Sequence, residues 1–400
     1  MKVVLAPFGS RGDVEPMIAL GEVLRGRGHE VVFCVLAEFV ERIRNIGFEC
    51  HRGGPAFGKF FDGTQNEFKT LWQVFKTVPE QFSALKSACV GADAVVGAML
   101  QFAAPSVAEI LGIPYFYAVF SPAYFRTTAL PPLGLAVRSF PAWAHRALWG
   151  FQDALTPVLG GILNRERRAL GLGGIKSLYH YLLRPETALP AFDPELTPVP
   201  EDIELSLSPG VWRGRECPPL EPDLDAFLNA GPPPVFVGFG SMNHRNPRQL
   251  MELGAVAARR AGFRALLASP CRTKVPEGCF LLDEVPHAAL FPRVAAVVHH
   301  GGVGTTVSAA LAGVPQLVVP HLADQFYHAF RVADLGLGPE PIRFRRLNLA
   351  TLAHRLQDIA ENKGYTARAR DFALRMRPFD GVERAADAVV SGPSDKPYKK

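Results

Sequence analysis

Several classes of protein are excluded by what this chain has little of. Its six cysteines, Cys34, Cys50, Cys89, Cys217, Cys271 and Cys279, are scattered and form no C-x-x-C or Cys/His cluster. Neither a disulfide framework nor a zinc site is suggested, and reduced thiols in a cytoplasm are the expectation. Neither sign of charge dominates: 43 Lys plus Arg stand against 38 Asp plus Glu. The dense basic footprint of a nucleic-acid binder is missing, so no nucleic acid is expected among its partners. The uncharged stretch Ile110 to Phe125 is broken by Gly112, Pro114 and Pro122 and is too short to span a bilayer. MKVVLAPFGSRGD at the N-terminus has no signal-peptide core, so secretion is not expected.

What is present is apolar: 48% of 400 residues, enough for two well-packed domains and too many for one core. In the first half, Val3 to Pro7 reads as a strand, Phe8 to Asp13 as a loop, Val14 to Gly28 as a helix and Glu30 to Val35 as a strand. Ala94 to Gly97 and Tyr115 to Phe120 continue the series as strands with a helix between them. Such β-α-β alternation implies a parallel sheet covered on both faces. The pattern restarts at Pro234, with strand Val235 to Gly238, loop Phe239 to Asn246, helix Pro247 to Arg260 and strand Phe263 to Ala268. Phe8-Gly9-Ser10 is echoed by Phe239-Gly240-Ser241. Two similarly wound α/β domains are expected, with a ligand between them at the carboxyl ends of both sheets.

Prolines 194, 198, 200, 209, 218, 219 and 222 break regular structure between the halves. The expected domains are therefore residues 1–205, a linker over 206–233, a second domain over 234–364, and a final helical segment from about Tyr365 to Ser391, within 365–400, long enough to cross back to the first domain.

The densest signal lies in AAVVHHGGVGTTVSAALAGVPQLVVPHLADQ, residues 295 to 325. An apolar strand, Ala295 to Val298, leads through His299 and His300 to Gly301, Gly302 and Gly304, and Thr305 and Thr306 open a helix. Uncovered amides and the positive end of the helix dipole then face an anion together. His300 and the Thr305 hydroxyl can add donors. His299 should point to the opposite face of the strand and is read as structural.

On the motifs GSRGDVEP (9–16), GFGSM (238–242), EVPH (284–287), HHGGVGTT (299–306) and PHLADQ (320–325), the chain resembles family 1 glycosyltransferases of the two-domain GT-B type over essentially its whole length. It is similar to bacterial natural-product enzymes and to sterol or lipid glucosyltransferases. The resemblance implies two Rossmann-like doubly wound domains, a UDP- or TDP-sugar donor, a small lipophilic acceptor bound mainly by the N-terminal domain, and inverting transfer of a hexose. It implies that His300, Gly302, Gly304, Thr305 and Ser241 contact the diphosphate, that Val285 offers its backbone to the base, and that Asp324 and Gln325 bind sugar hydroxyls. Where plant members carry a base-stacking Trp, this sequence has Glu284, which leaves uridine and thymidine both open.

Inversion needs a base to deprotonate the acceptor hydroxyl, and in the glycopeptide-type branch the matching residue is Asp, here Asp13. Burial or acceptor binding would have to raise its pKa for that role. As plain structure, Asp13 is equally an N-terminal helix cap, and Asp324 and Gln325 equally begin a helix that runs to Leu335. Arg11 reads as a solvated loop residue or an anion contact. No cofactor or metal is expected, since no D-x-D pair lies in a suitable loop and the glycine loop, helix terminus and His300 stabilise the leaving diphosphate. Aromatics cluster between the strands of the first half; most should be core, with Phe57, Phe75, Tyr124 and Phe125 as candidate acceptor contacts. Arg126, Arg138, Arg146, Arg165, Arg167 and Arg168 lie near them and make a peripheral membrane contact a further possibility for a cytoplasmic protein. The competing functions are a nucleotide-sugar 2-epimerase of the same architecture and a non-catalytic nucleotide-sugar or lipid-binding protein.

Overall fold

Runs such as KVVLAPF, with almost no polar alternation, suit strands buried on both faces, and they form the centres of two parallel sheets. The computed structural model describes residues 1–60, 67–133, 135–214, 218–240, 246–268, 276–283, 285–376 and 381–393; the side chains of residues 57, 67, 68 and 159 lie outside that description. The chain forms two compact units, one of Met1–Leu133, Val137–Arg215 and Pro378–Lys400, the other of Gly134–Ala136 and Glu216–Arg377.

The first unit contains β1 (Lys2–Phe8), β2 (Glu30–Leu36), β3 (Glu49–Gly54), β4 (Ala94–Met99), β5 (Tyr115–Val119) and β6 (Ala188–Pro190) in the order β3-β2-β1-β4-β5-β6. The second contains β7 (Val235–Gly238), β8 (Ala265–Ala268), β9 (Cys279–Leu282), β10 (Ala296–His299) and β11 (Gln316–Val318) in the order β11-β10-β7-β8-β9. Every pairing is parallel. In each unit the chain winds outward from its first strand and then returns to that strand's other side. The winding reverses between β1 and β4 and between β7 and β10, and ligands of doubly wound sheets bind outside the carboxyl ends at such points.

Alternation along the strands of the second unit divides its core in two. Val235, Val237, Ala265, Leu267, Ala296 and Val298 face one cluster, and Phe236, Leu266 and Val297 face the other. Each fully buried Val, Leu or Phe side chain contributes roughly 1.5–3 kcal/mol, so the sheet is held from both sides. In the first unit Cys34, Cys50 and Cys89 are buried, and burial pushes all three thiols up, Cys50 to about 11 and Cys89 to about 12.

The single helical segment expected from Tyr365 to Ser391 is two helices, Lys363–Arg375 in the second unit and Gly381–Ser391 in the first. Pro378 stands between them in sequence, and proline removes a helical N–H and clashes with the preceding turn. The last helix packs against Arg11–Gly26 through Val382, Ala385, Ala386 and Val389, while Arg27 pairs with Glu383 at 2.5 Å and Asp387 at 2.7 Å.

Candidate functional site

In the first unit the helix after β1 begins at Arg11, three residues ahead of the expected Val14. Ser10 is its cap and Asp13 lies in its first turn, which corrects the reading of Asp13 as the cap itself. The reason is a capping box, in which the third helical residue reaches back to the cap. Asp13 Oδ2 accepts from the Ser10 N–H at 2.6 Å and from the Ser10 hydroxyl at 3.0 Å. The carboxylate is only 7% exposed, and it folds over Gly9, where a Cβ would collide with Oδ2. Only glycine leaves it that position.

Two residues that sequence reasoning did not single out lie on the two strands that follow β1 in the sheet, Met99 on β4 and Tyr117 on β5. Met99 lies opposite Phe8 in the β1–β4 register and has φ 56°, a left-handed conformation that a side chain rarely takes. Tyr117 donates to the Met99 carbonyl at 2.7 Å. Burial first, and then the charge of Asp13, push the Tyr117 phenol well above its usual value, so it remains a donor. Arg11 forms a pair with Glu15 at 3.1 Å.

In the second unit β10 delivers His299 and His300 to the turn. His299 is completely buried; its Nδ1 accepts from the Gly301 N–H at 3.1 Å, and its Nε2 lies 2.9 Å from Gln316 Oε1. An acceptor at Nδ1 leaves the proton on Nε2, which Gln316 receives. Burial, and secondarily the charge of His300, lower its pKa to about 3. His299 is thus a neutral strut, and Gln316 was invisible in the sequence because strand pairing alone brings it alongside.

His300 turns the other way, over β7. A Cβ at Gly240 would lie 2.7 Å from its Cε1, and one at Gly302 would collide with its Nε2. Gly301 has φ 91°, and a Cβ there would come within 2.9 Å of the Gln325 carbonyl. These glycines let the imidazole lie in the turn and let the HHGGVGTT and PHLADQ segments touch. Gly302 caps the helix Val303–Leu311 without any side-chain hydrogen bond. The Thr306 N–H is the first to return to the Gly302 carbonyl, at 3.0 Å. Gly304, exposed, and Thr305, half-buried, occupy the first turn. This is the uncapped helix terminus that an anion needs.

Asp324 is the cap residue of helix Gln325–Asp334, so both it and Gln325 do begin a helix, which ends one residue short of Leu335. The preceding Ala323 has φ 53° and is the only described non-glycine residue besides Met99 with positive φ. Gln325 is buried, and its Oε1 accepts from the His321 N–H at 2.8 Å and the Leu322 N–H at 3.2 Å. Its carbonyl therefore closes the loop, leaving Asp324 as the carboxylate at the loop's end. His321 stacks on Phe344, centroids 4.3 Å apart. Val285 is half-buried against the Phe236 cluster. Ser241 and Glu284 lie outside the described residues.

Of the acceptor candidates, Phe75 is fully buried and stacks on Phe102 at 4.5 Å, and Phe125 is 2% exposed. Both are core residues with no surface to offer a ligand. Tyr124 is half-buried, and the side chain of Phe57 is outside the description. Arg167 also departs from expectation: it is buried, donating to Glu109 at 2.9 Å, Ser106 at 2.7 Å and the Gly173 carbonyl at 2.7 Å. It cannot belong to a basic surface. Among the described residues no group of three or more His, Cys, Asp or Glu could hold a metal ion, and no helix is long and apolar enough to cross a membrane.

Comparison with known proteins agrees with this architecture. Residues 3–130 match the glycosyltransferase family 28 N-terminal domain, and residues 265–378 match the erythromycin biosynthesis protein CIII-like C-terminal domain. Vancomycin aglycone glucosyltransferase of Amycolatopsis orientalis is 38% identical over 355 residues, 84% of this chain and 85% of that protein. A sterol 3-beta-glucosyltransferase of Aspergillus clavatus is 29% identical over 426 residues, 97% of this chain and 29% of that longer protein. The crystal structure of glycosyltransferase VinC in complex with dTDP superposes with a TM-score of 0.65 at 21% identity, covering 97% of this chain and 96% of that one. The relatives are transferases, which removes support from the epimerase reading. With two parallel doubly wound units, an uncapped glycine turn at the winding reversal of the second, and 38% identity to a glycosyltransferase across most of both chains, the protein is a member of the family 1 glycosyltransferases of GT-B fold.

Proposed function

We propose that the protein transfers a hexose, with inversion and without a metal ion, from a thymidine or uridine diphosphate sugar to a hydroxyl of a small lipophilic acceptor. The observation that carries this reading is the turn Gly301–Thr305: glycines make room for His300, and the following helix begins with amides that no side chain caps. A diphosphate placed there receives N–H donors and the helix dipole. Asp324 takes sugar hydroxyls, Gln325 fixes the loop that presents it, and Val285 offers backbone to the base.

In the transfer step the acceptor oxygen forms a bond to the anomeric carbon as its proton passes to Asp13. The bond from that carbon to the diphosphate breaks, and its electron pair leaves on the nucleotide. Donors already fixed at the turn strengthen as charge grows on the leaving oxygen, so they favour the transition state over the bound donor. Ser10 holds Asp13 Oδ2 by two hydrogen bonds, so the carboxylate is oriented before any acceptor arrives.

The acceptor class draws support from the glycopeptide and sterol relatives. TDP- and UDP-glucose screened against glycopeptide aglycones, macrolides, sterols and flavonoids, read by mass spectrometry, should give a mass gain of one hexose. NMR of the product should show the anomeric configuration opposite to the donor's. Retention of configuration, or absence of transfer with donor hydrolysis also absent, would overturn the reading.

A peripheral membrane contact rests on one helix, Ala142–Leu159, where Trp143, Phe151 and Val158 are 68%, 64% and 65% exposed. Their spacing keeps them on one face, with exposed Arg146 nearby. Flotation with phosphatidylglycerol vesicles should fall when Trp143 and Phe151 are both replaced by Ser; unchanged flotation, or none in the wild type, would count against it.

A further inference from the structure

We infer that His328 is a positioning residue for Asp324, fixing which carboxylate oxygen meets the donor sugar and thereby tuning sugar selectivity. The inference rests on the assignment of Asp324 to the sugar. His328 lies one turn after Asp324 on the helix Gln325–Asp334 and is completely buried. Burial of an imidazole is unfavourable unless its nitrogens are bonded, yet neither ring nitrogen makes a hydrogen bond among the described residues. Its Nε2 stands 3.4 Å from Asp324 Oδ2. That is just beyond a good hydrogen bond, and a rotation of the carboxylate closes it.

Two directions of pull meet on this carboxylate. In the Nε2–H tautomer the imidazole offers a donor to Oδ2, which directs the other oxygen to a sugar hydroxyl. Asp324 is 15% exposed in its side chain, whereas His328 is not exposed at all, so the carboxylate can meet the ligand and the imidazole acts only through it. His299 is close enough for His328 to affect it electrostatically, and it is itself held neutral by burial and Gln316. The service of the His328 imidazole is directional, through the position of its Nε2 beside Asp324 Oδ2. A donor sugar that satisfies Asp324 also draws the Nε2–H into the bond it lacks, so the gain on binding couples the sugar to a buried group.

Calorimetry with TDP, UDP, TDP-glucose and UDP-glucose isolates the sugar's contribution as the ratio of nucleotide-sugar to nucleotide affinity. In His328→Phe that ratio should fall about tenfold, the effect of losing one hydrogen bond to a charged group, while TDP and UDP affinities stay within about twofold. His328→Gln, whose amide reaches the Nε2 position, should restore the ratio. His328→Asn, whose amide is one carbon shorter, should not, and this polar pair decides the matter if the Phe variant fails to fold. Equal loss for nucleotide and nucleotide sugar, or an unchanged ratio in both Phe and Asn variants, overturns the positioning role. Asp324→Asn separates the two levels: if it leaves the ratio intact, the assignment of Asp324 to the sugar fails; if it lowers the ratio while His328→Phe does not, only the inference about His328 fails.

Discussion

The turns after β1 and β10 use the same device for opposite purposes. Each places a polar side chain over a glycine at the point where its sheet's winding reverses: Asp13 over Gly9 in the first unit, His300 over Gly240 and Gly302 in the second. They differ in what happens to the amides of the helix that follows. After β1, Asp13 reaches back to the Ser10 N–H and hydroxyl, so the terminus already holds a carboxylate. A second anion there would meet like charge. After β10, Gly302 caps nothing, and the terminus is left to a ligand. At the third helical position a carboxylate, Asp13, stands in the first turn and a hydroxyl, Thr305, in the second, so only the second leaves its helix terminus without a negative charge.

The sharpest way to break this comparison is at the carboxylate. Asp13→Asn keeps the shape and an acceptor for Ser10 but cannot take a proton, so kcat should fall by roughly 10²–10⁴ while calorimetric affinity for TDP or UDP is unchanged. An equal loss of nucleotide affinity would make Asp13 a structural residue.

The glycines come next, because they should fail in different observables. Gly9→Ala displaces Asp13 and should lower kcat by roughly 10–100-fold with little change in nucleotide binding, whereas Gly302→Ala displaces His300 and should weaken nucleotide binding by a similar factor. Gly26→Ala, at the far end of the helix Arg11–Gly26, where an added Cβ meets nothing within 4 Å, is the control. If the Gly9 and Gly302 variants lose the same property, the division of labour between the turns is wrong.

His300→Ala should weaken TDP and UDP binding by about tenfold, as expected for one lost donor to a phosphate. Unchanged affinity would leave the diphosphate to the backbone alone.

The smallest effect concerns His299, which the same turn holds neutral. Its folded pKa, about 3, is below the ordinary value of 6.5. Above pH 6.5 neither state binds the proton and stability is unaffected. As pH falls from 6.5 toward 3 the unfolded chain takes up a proton that the folded one refuses, so stability drops by at most about 1.4 kcal/mol per pH unit. His299→Asn, which keeps an acceptor for the Gly301 N–H, should flatten that part of a denaturation profile. Parallel profiles for variant and wild type would contradict it.

Much of this architecture was legible in the sequence, and the reasons are local. The strand Val235–Gly238 and the helix Pro247–Arg260 stand where hydrophobic runs and an Asn-Pro start place them. The repeated Phe-Gly-Ser anticipated two equivalent first strands, and both lie next to the reversal of their sheets. The helix start was expected three residues late, with Asp13 as its cap, because a carboxylate at the third helical position and one at the cap look alike until backbone dihedrals assign the start. Phe75 and Phe125 were candidates for the acceptor because aromatic composition does not tell a pocket wall from a core.

The sequence by itself determined the fold class, the family and the glycine turn, and it supplied the groups proposed to hold a diphosphate and to take a proton. These depend on periodicity, on glycine's lack of a Cβ and on motifs contiguous in the chain. Tertiary structure alone decided what surrounds those groups: Gln316 beneath His299, Tyr117 within electrostatic reach of Asp13, Gln325 closing the loop before Asp324, and His328 behind it. Parallel pairing brings residues 14 or more positions apart into contact, and burial then sets the hydrogen bonds and protonation that contact requires.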